Sequence, residues 1–239
     1  GLEAVVLATR AVALGDAELI VAGGMESMSS APYLLPQARS GYRLGHGQVQ
    51  DSVVKDGLWD VYNDFHMGDA AEICARELNI SREAQDAFAF SSHQKALAAV
   101  DAGRFREETL PLTVRTTEVD DEGRLQTRET LFDTDEGPRR DTSPKRLAQL
   151  RPAFHASGTI TAGNASQTSD GAAALVLMSS DRAREMGLSP TARFVTYAVA
   201  GVPPEIMGIG PVAAVPTALR AAGLRPGDIG LIELNAAFA

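Results

Sequence analysis

The sequence predicts an α/β protein whose layered core is interrupted by a long insertion. Three observations carry this. An amphipathic helix followed by a short apolar run opens the chain. A stretch of about 130 to 140 residues then interrupts that pattern, beginning in the mixed-polarity run from Met25 with its prolines and glycines. From Gly171 onward the alternation of apolar runs and helical patterns resumes. Such alternation is the signature of sheets covered by helices.

Taken in order, Leu2, Val5, Val6, Val12 and Ala13 recur at helical spacing and stop before Gly15, which sets the first helix. Ala17 to Ala22 is expected to form a buried strand that ends at Gly23-Gly24. Met25 to Phe65 reads as loop and short pieces, with Pro32 and Pro36 breaking regular structure. Met67 to Leu78 reads as a helix. A longer helix runs from a Ser81 cap through Ala102 and is closed by Gly103, with Ala87, Phe90, Leu97 and Ala98 near one face. Leu110 to Val114 is a candidate strand, and the charged stretch Glu118 to Asp141 a solvated hairpin or excursion. After the insertion, strands are expected at Ala172–Met178, Arg193–Val199 and Ile229–Leu234, with helices at Asp181–Met186 and Val212–Ala222.

Composition narrows the function classes. With 22 basic against 31 acidic residues the net charge is -9, so no basic face for nucleic acid is expected. No apolar run approaches the roughly 18 residues of a membrane-spanning helix, and no secretory signal is visible at the start, so a cytoplasmic location is expected. The single cysteine, Cys74, sits in the helical apolar context Ala70-Ala-Glu-Ile-Cys-Ala-Arg and reads as structural rather than nucleophilic. His46, His93 and His155 fall into no metal-ligand spacing, and no metal or bound cofactor is expected. The chain opens inside a helix at Gly1 and stops at Ala239 just after an expected strand, which suggests an internal piece of a longer protein.

The most informative stretch is Ser157-Gly-Thr-Ile-Thr-Ala-Gly-Asn-Ala-Ser-Gln-Thr-Ser-Asp-Gly-Ala-Ala-Ala174. Small residues let a ligand approach the backbone, and Ser, Thr and Asn offer short hydrogen-bonding arms. A loop of this kind feeding a buried strand is a common place for ligands in α/β proteins.

Five segments in one order resemble the thiolase family, the acetyl-CoA C-acyltransferases. They are Gly23-Gly-Met-Glu-Ser-Met-Ser29, His66-Met-Gly68, Thr159-Ile-Thr-Ala-Gly-Asn-Ala-Ser166, Ser169-Asp-Gly-Ala-Ala-Ala174 and Asn235-Ala-Ala-Phe238. The resemblance covers the whole chain. It implies a five-layer α-β-α-β-α thiolase fold, incomplete at both ends. Residues 1–30 and 169–191 would form part of the N-terminal half, 31–168 the inserted coenzyme A-binding loop domain, and 192–239 the start of the C-terminal half.

The activity implied is acyl transfer, two acetyl-CoA condensing to acetoacetyl-CoA or the reverse thiolysis, ping-pong through an acyl-cysteine. Gly1-Leu2 matches the end of the family's Cys-Gly-Ser-Gly-Leu motif, so the nucleophile would lie three residues upstream of Gly1. The Gly-His-Pro histidine and the second cysteine would lie downstream of Ala239. Alternatives are a non-catalytic thiolase-like acyl-CoA or lipid-binding protein and a degradative 3-ketoacyl-CoA thiolase. Coenzyme A thioesters would be the substrates, and a homodimer or homotetramer the assembly.

Residue by residue, Asn235 matches the asparagine of the family's Asn-Glu-Ala-Phe motif, which holds a water in an oxyanion hole, here at the carboxyl end of an expected strand. Ala236 replaces the usual glutamate. His66 and Met67 match the loop-domain pair lining the acyl and pantetheine pocket, though a histidine before a helix can equally be a cap. Ser166 matches the serine on the pantetheine arm, with Ala162 and Gly163 giving close backbone approach. Leu58 and Phe154 match apolar walls of the pantetheine tunnel, and Ala237 with Phe238 the substrate-facing end of the motif. Arg139 falls where the family has an arginine near the adenine and phosphates, with Arg140, Lys145 and Arg146 close by.

Overall fold

The computed structural model describes residues 1–239, which divide into two compact units. One comprises Gly1–Asn79, Phe154–Gly158 and Thr168–Ala236, and the other Ile80–Ala153, Thr159–Gln167 and Ala237–Ala239.

The first unit is built on helix α1 (Leu2–Leu14) and strand β1 (Leu19–Ser27). Helix α1 turns Val6 and Ala8 inward and ends where Gly15 takes a left-handed conformation (φ 79°). There the Gly15 N–H bonds to Val12 O (3.2 Å) and the Asp16 N–H to Ala11 O (3.0 Å), a Schellman closure that a residue with a side chain would resist. Strand β1 pairs antiparallel with a strand from far along the chain, residues Asp170–Met178, in register from Leu19 opposite Met178 to Ser27 opposite Asp170. Helix α1 lies against both strands.

The expected stop at Gly23-Gly24 is corrected: β1 continues through both glycines to Ser27. Its partner there is Ala172-Ala173-Ala174, and a Cβ on Gly23 would overlap the Ala173 carbonyl oxygen. Glycine here admits close approach of two backbones rather than ending the strand.

Between these strands the first unit places two short antiparallel pairs, β2 (Tyr33–Leu34) with β3 (Gln50–Asp51) and β4 (Trp59–Asp60) with β5 (Phe65–His66), separated by a π-helical turn at Val53–Gly57. Helix α2 (Met67–Glu77) follows directly and packs on a 3-10 turn at Pro204–Ile209.

The second unit is organised by helix α3 (Arg82–Asp101). Ser81 Oγ accepts from the Ala84 N–H (3.2 Å), as its position before the run predicts. The expected buried face of this helix is corrected. Ala87 and Ala98 are exposed, whereas Gln85, Asp86 and Ala89 are buried. Arg82, Gln85, Asp86 and Ala89 follow the spacing i, i+3, i+4, i+7, so one stripe does face inward, but it is largely polar. Of the expected apolar face, Phe90 and Leu97 are half-buried and flank this stripe, while its polar centre is not what apolar periodicity points to.

Strands β6 (Leu112–Val119) and β7 (Leu125–Phe132) form an exposed hairpin that joins the candidate strand at Leu110–Val114 to the charged stretch from Glu118. Helix α4 (Pro144–Ala148) packs on α3 through buried Leu147.

The chain then returns to the first unit as β8 (Asp170–Met178), the partner of β1, followed by α5 (Ser180–Glu185) and α6 (Gly210–Ala222). Arg193–Val199 and Ile229–Leu234, expected as strands, enter no ladder, and Val195, Val199, Leu231 and Ile232 are exposed. Alternation supplies a strand's side chains, but only a neighbour supplies its hydrogen bonds. No helix is long and apolar enough to cross a membrane.

Candidate functional site

The sequence-predicted residues gather in two clusters, one in each unit. In the first unit the β4–β5 hairpin delivers His66 to the N-terminus of α2. The hairpin is closed by buried Asp60: its Oδ1 accepts from the Tyr62 N–H (2.8 Å) and its Oδ2 from Asn63 Nδ2 (2.8 Å). These bonds, the Asn63 amide foremost, hold the Asp60 carboxyl below the usual carboxylate range.

His66 then caps α2. Its Nδ1 accepts from the Gly68 N–H (3.0 Å), and its own N–H donates to Asp69 Oδ2 (3.3 Å), a reciprocal capping box. With Nδ1 engaged by the Gly68 N–H, Nε2 is the ring nitrogen left to donate elsewhere. The ring stacks on Phe154 with centroids 4.8 Å apart and planes 25° from parallel. Gly68 is buried beneath the same Phe154 ring, where a Cβ would overlap it. The Met67 N–H donates to Leu58 O (2.8 Å). Leu58, His66, Met67 and Phe154, more than ninety positions apart at their extremes, thus form one half-buried cluster.

In the second unit the loop Thr159–Ser166 wraps around Asn164, which is 3 % exposed. Asn164 Oδ1 accepts from the Thr161 N–H (2.7 Å), and Nδ2 donates to Asp86 Oδ1 (2.9 Å) and Thr159 O (3.0 Å). The other oxygen of Asp86 takes Arg82 Nε (2.8 Å), and Arg82 Nη2 reaches Leu147 O (2.6 Å) and Leu150 O (3.2 Å). Gln85, 1 % exposed, donates from Nε2 to Thr159 Oγ1 (3.0 Å) and Ile80 O (3.3 Å). Gly163 lies over Leu147 and Leu150: a Cβ there would sit 2.6 Å from Leu147 Cδ2 and 2.5 Å from Leu150 Cδ1. The loop's outgoing end pairs with the chain terminus. The Ser166 N–H donates to Ala237 O (2.8 Å), the Ala239 N–H to Asn164 O (2.9 Å), and Ala165 bridges Phe238. Ala162, Gly163, Ser166, Ala237 and Phe238 therefore share one buried-floored assembly.

Two residues join neither cluster. Asn235 is exposed, and its expected place at the end of a paired strand is corrected, since Ile229–Leu234 enters no ladder. Arg139 is exposed; its N–H donates to His93 Nδ1 (3.1 Å) and its guanidinium contacts Asp141 (3.3 Å). The neighbouring cations are likewise engaged, Arg146 with Asp141 (2.8 Å) and Arg140 with Asp101 (2.6 Å). Exposed pairs of this kind are weak enough to exchange for another anion. Arg139, with Arg146 beside it, holds the Asp141 carboxyl below its ordinary range. Cys74, half-buried on α2 beside Gly208, has its thiol pushed up by burial, the opposite of an activated nucleophile.

Sequence reading missed Arg82, Gln85 and Asp86, and gave Asn164 no role of its own. The available signal was the polar stripe at helical spacing on α3, together with an asparagine inside a run of small residues.

Residues 1–181 match the family model described as thiolase, N-terminal domain, and residues 188–239 that of thiolase, C-terminal domain. The crystal structure of the Bacillus anthracis acetyl-CoA acetyltransferase superposes with a TM-score of 0.90 at 43 % identity, over all of this chain and 58 % of that one. Human mitochondrial 3-ketoacyl-CoA thiolase superposes with a TM-score of 0.89 at 39 % identity, over 100 % of this chain and 58 % of that one. Fold and matches together define an α/β protein of the thiolase fold. The acetyl-CoA acetyltransferase of Pseudomonas aeruginosa is 51 % identical over 239 residues, all of this chain and 59 % of that protein. The chain belongs to the thiolase family, and it spans about three fifths of the length of the relatives it matches.

Proposed function

We propose that the full-length protein is an acyltransferase that condenses two acetyl-CoA to acetoacetyl-CoA or runs the reverse thiolysis. The observation that carries this is the 51 % identity, along the whole chain, to a protein named acetyl-CoA acetyltransferase. Among the solved structures the match to 3-ketoacyl-CoA thiolase, at 39 %, stands just below those to two acetyl-CoA acetyltransferases, at 43 % and 40 %.

Acyl transfer between thioesters needs a thiolate nucleophile, a base for the α-proton and donors for the developing oxyanions. Cys74, with its raised thiol, does not suit the first role. This reading assigns the acyl-cysteine and its acid–base partners to residues of the full-length protein outside this chain. The chain's own contribution is to hold substrate. Loop Thr159–Ser166 offers small residues and the Ser166 hydroxyl to the pantetheine arm of coenzyme A. Leu58, His66, Met67 and Phe154 supply apolar walls, with His66 Nε2–H as a donor. Ala237 and Phe238 face the acyl end, Arg139 exchanges Asp141 for phosphate, and Asn235 holds an oxyanion-hole water. No bound cofactor is required.

The same reading makes 31–168 the inserted loop domain, residues 1–30 and 169–191 part of the first half, and 192–239 the start of the second. It also places the protein in the cytoplasm as a homodimer or homotetramer. The test is kcat/KM of the full-length protein on acetoacetyl-CoA and on a medium-chain 3-ketoacyl-CoA, following loss of the 3-ketoacyl thioester. Preference for acetoacetyl-CoA is expected. Preference for the longer thioester makes it the degradative type, and binding without turnover makes it a non-catalytic acyl-CoA binder.

A further inference from the structure

We propose that Asn164, clamped by the Asp86–Arg82 pair, is a positioning residue that sets the coenzyme A affinity of the Thr159–Ser166 loop. The inference rests on the reading of Ser166 as a contact of the pantetheine arm. The argument begins with how completely the Asn164 side chain is used. Both Nδ2 protons and Oδ1 have partners within 3.0 Å, on helix α3 and on two backbone groups of the loop itself. A side chain so engaged has one orientation, and buried hydrogen bonds of this kind specify geometry more tightly than packing alone.

The backbone of the same residue carries the position outward. Asn164 O takes the Ala239 N–H (2.9 Å) and the Ser166 N–H is tied to Ala237 O (2.8 Å), with Ala165 and Phe238 paired between them. A shift of Asn164 therefore moves Ser166 and the Ala237–Phe238 segment together. From below, Arg82 fixes the carbonyls of Leu147 and Leu150, whose side chains floor Gly163. None of these groups needs to touch substrate; they decide where the groups that touch it stand.

The amide is required rather than tolerated. Asp86 Oδ1 and Thr159 O are both acceptors, so position 164 must present two donors. Asn164→Asp removes both and sets a second carboxylate against Asp86. Asp86→Asn alone leaves one amide oxygen for two donors, so either Asn164 or Arg82 loses its acceptor, and the charge that strengthens both bonds is gone. Combining the two restores one donor–acceptor pair with its polarity reversed, Asn at 86 donating to Asp at 164.

The experiment uses the full-length protein: calorimetric Kd for coenzyme A, and kcat and KM for acetoacetyl-CoA thiolysis, in wild type, Ser166→Ala, Asn164→Asp, Asp86→Asn and the Asn164→Asp/Asp86→Asn pair. Asn164→Asp is expected to raise Kd and KM about tenfold, Asp86→Asn about threefold, with kcat held within about threefold and the pair recovering part of the loss. Should Asn164→Asp fail to fold, Asp86→Asn carries the same comparison. An unchanged Kd in the network variants, while Ser166→Ala weakens binding, overturns the positioning role and leaves the site standing. A loss confined to kcat, or a pair no better than Asn164→Asp, also overturns it. Absent coenzyme A binding by wild type, or a Ser166→Ala that binds unchanged, overturns the reading of the site and the inference with it.

Discussion

Gly163→Ala isolates the close packing beneath the loop. The added methyl would sit 2.6 Å from Leu147 Cδ2 and 2.5 Å from Leu150 Cδ1. Carbon atoms pack comfortably at roughly 3.5–4.0 Å, so each leucine methyl must withdraw by about 1 Å. Arg82 holds both carbonyls, but Leu150 is 38 % exposed and its side chain can swing aside, whereas Leu147 is 3 % exposed and enclosed. The strain therefore concentrates on Leu147, and we expect a loss of about 1–3 kcal/mol, the range for overpacking a closed core. Leu147→Ala alone should cost about 2–5 kcal/mol through its cavity. In the double variant the new methyl occupies part of that cavity, so the pair should be less destabilising than the two losses added, by about 1–2 kcal/mol. Urea unfolding of the full-length protein, followed by circular dichroism, reads all three variants, with Leu150→Ala as a weakly coupled control. Additivity within about 0.5 kcal/mol would refute the packing argument.

Two further outcomes follow from the first unit. His66→Ala should remove both the cap on Gly68 and the stack on Phe154, about 0.5–2 plus 0.5–1.5 kcal/mol, whereas His66→Asn should keep the cap; equal losses in urea titrations of the two would sink this division. Asp60 has its folded pKa depressed, so its contribution is present above the ordinary carboxylate pKa and is lost as pH falls through the folded value. The β4–β5 hairpin should loosen in acid, below the usual carboxylate range. Trp59, the chain's one tryptophan, lies in that hairpin with Nε1 on Asp64 (3.0 Å) and reports the change by fluorescence. Asp60→Asn should abolish the acid step, and an identical step in both proteins would count against it.

What was legible in the sequence was local. The Ser81 cap, the Gly15 and Gly103 stops and the helix after His66 each depend on a few neighbouring residues, and each forms. Thiolase fold and family were also legible, because five motifs in fixed order carry far more information than any one of them. What failed needed a partner far along the chain. The reach of β1 past Gly23 depended on the small residues of β8, and the strand character of Arg193–Val199 on a neighbour that alternation cannot supply. Burial of Gln85 and Asp86 was illegible for the same reason, since their partners Thr159 and Asn164 lie more than seventy residues away. Of the candidate site, the motifs named where ligand-facing residues stand but not the supports that hold them.

The pairing of β1 with β8 closes a loop that runs from position 28 to 169. Closure entropy grows only with the logarithm of loop length, so doubling such a loop costs about 0.6 kcal/mol. The nine paired positions of the ladder are consequently almost indifferent to how long the excursion between them is. Insertions or deletions at the exposed tip joining β6 to β7 are therefore cheap for the ladder, so the length of the excursion is set by what it does and not by the strands that bracket it.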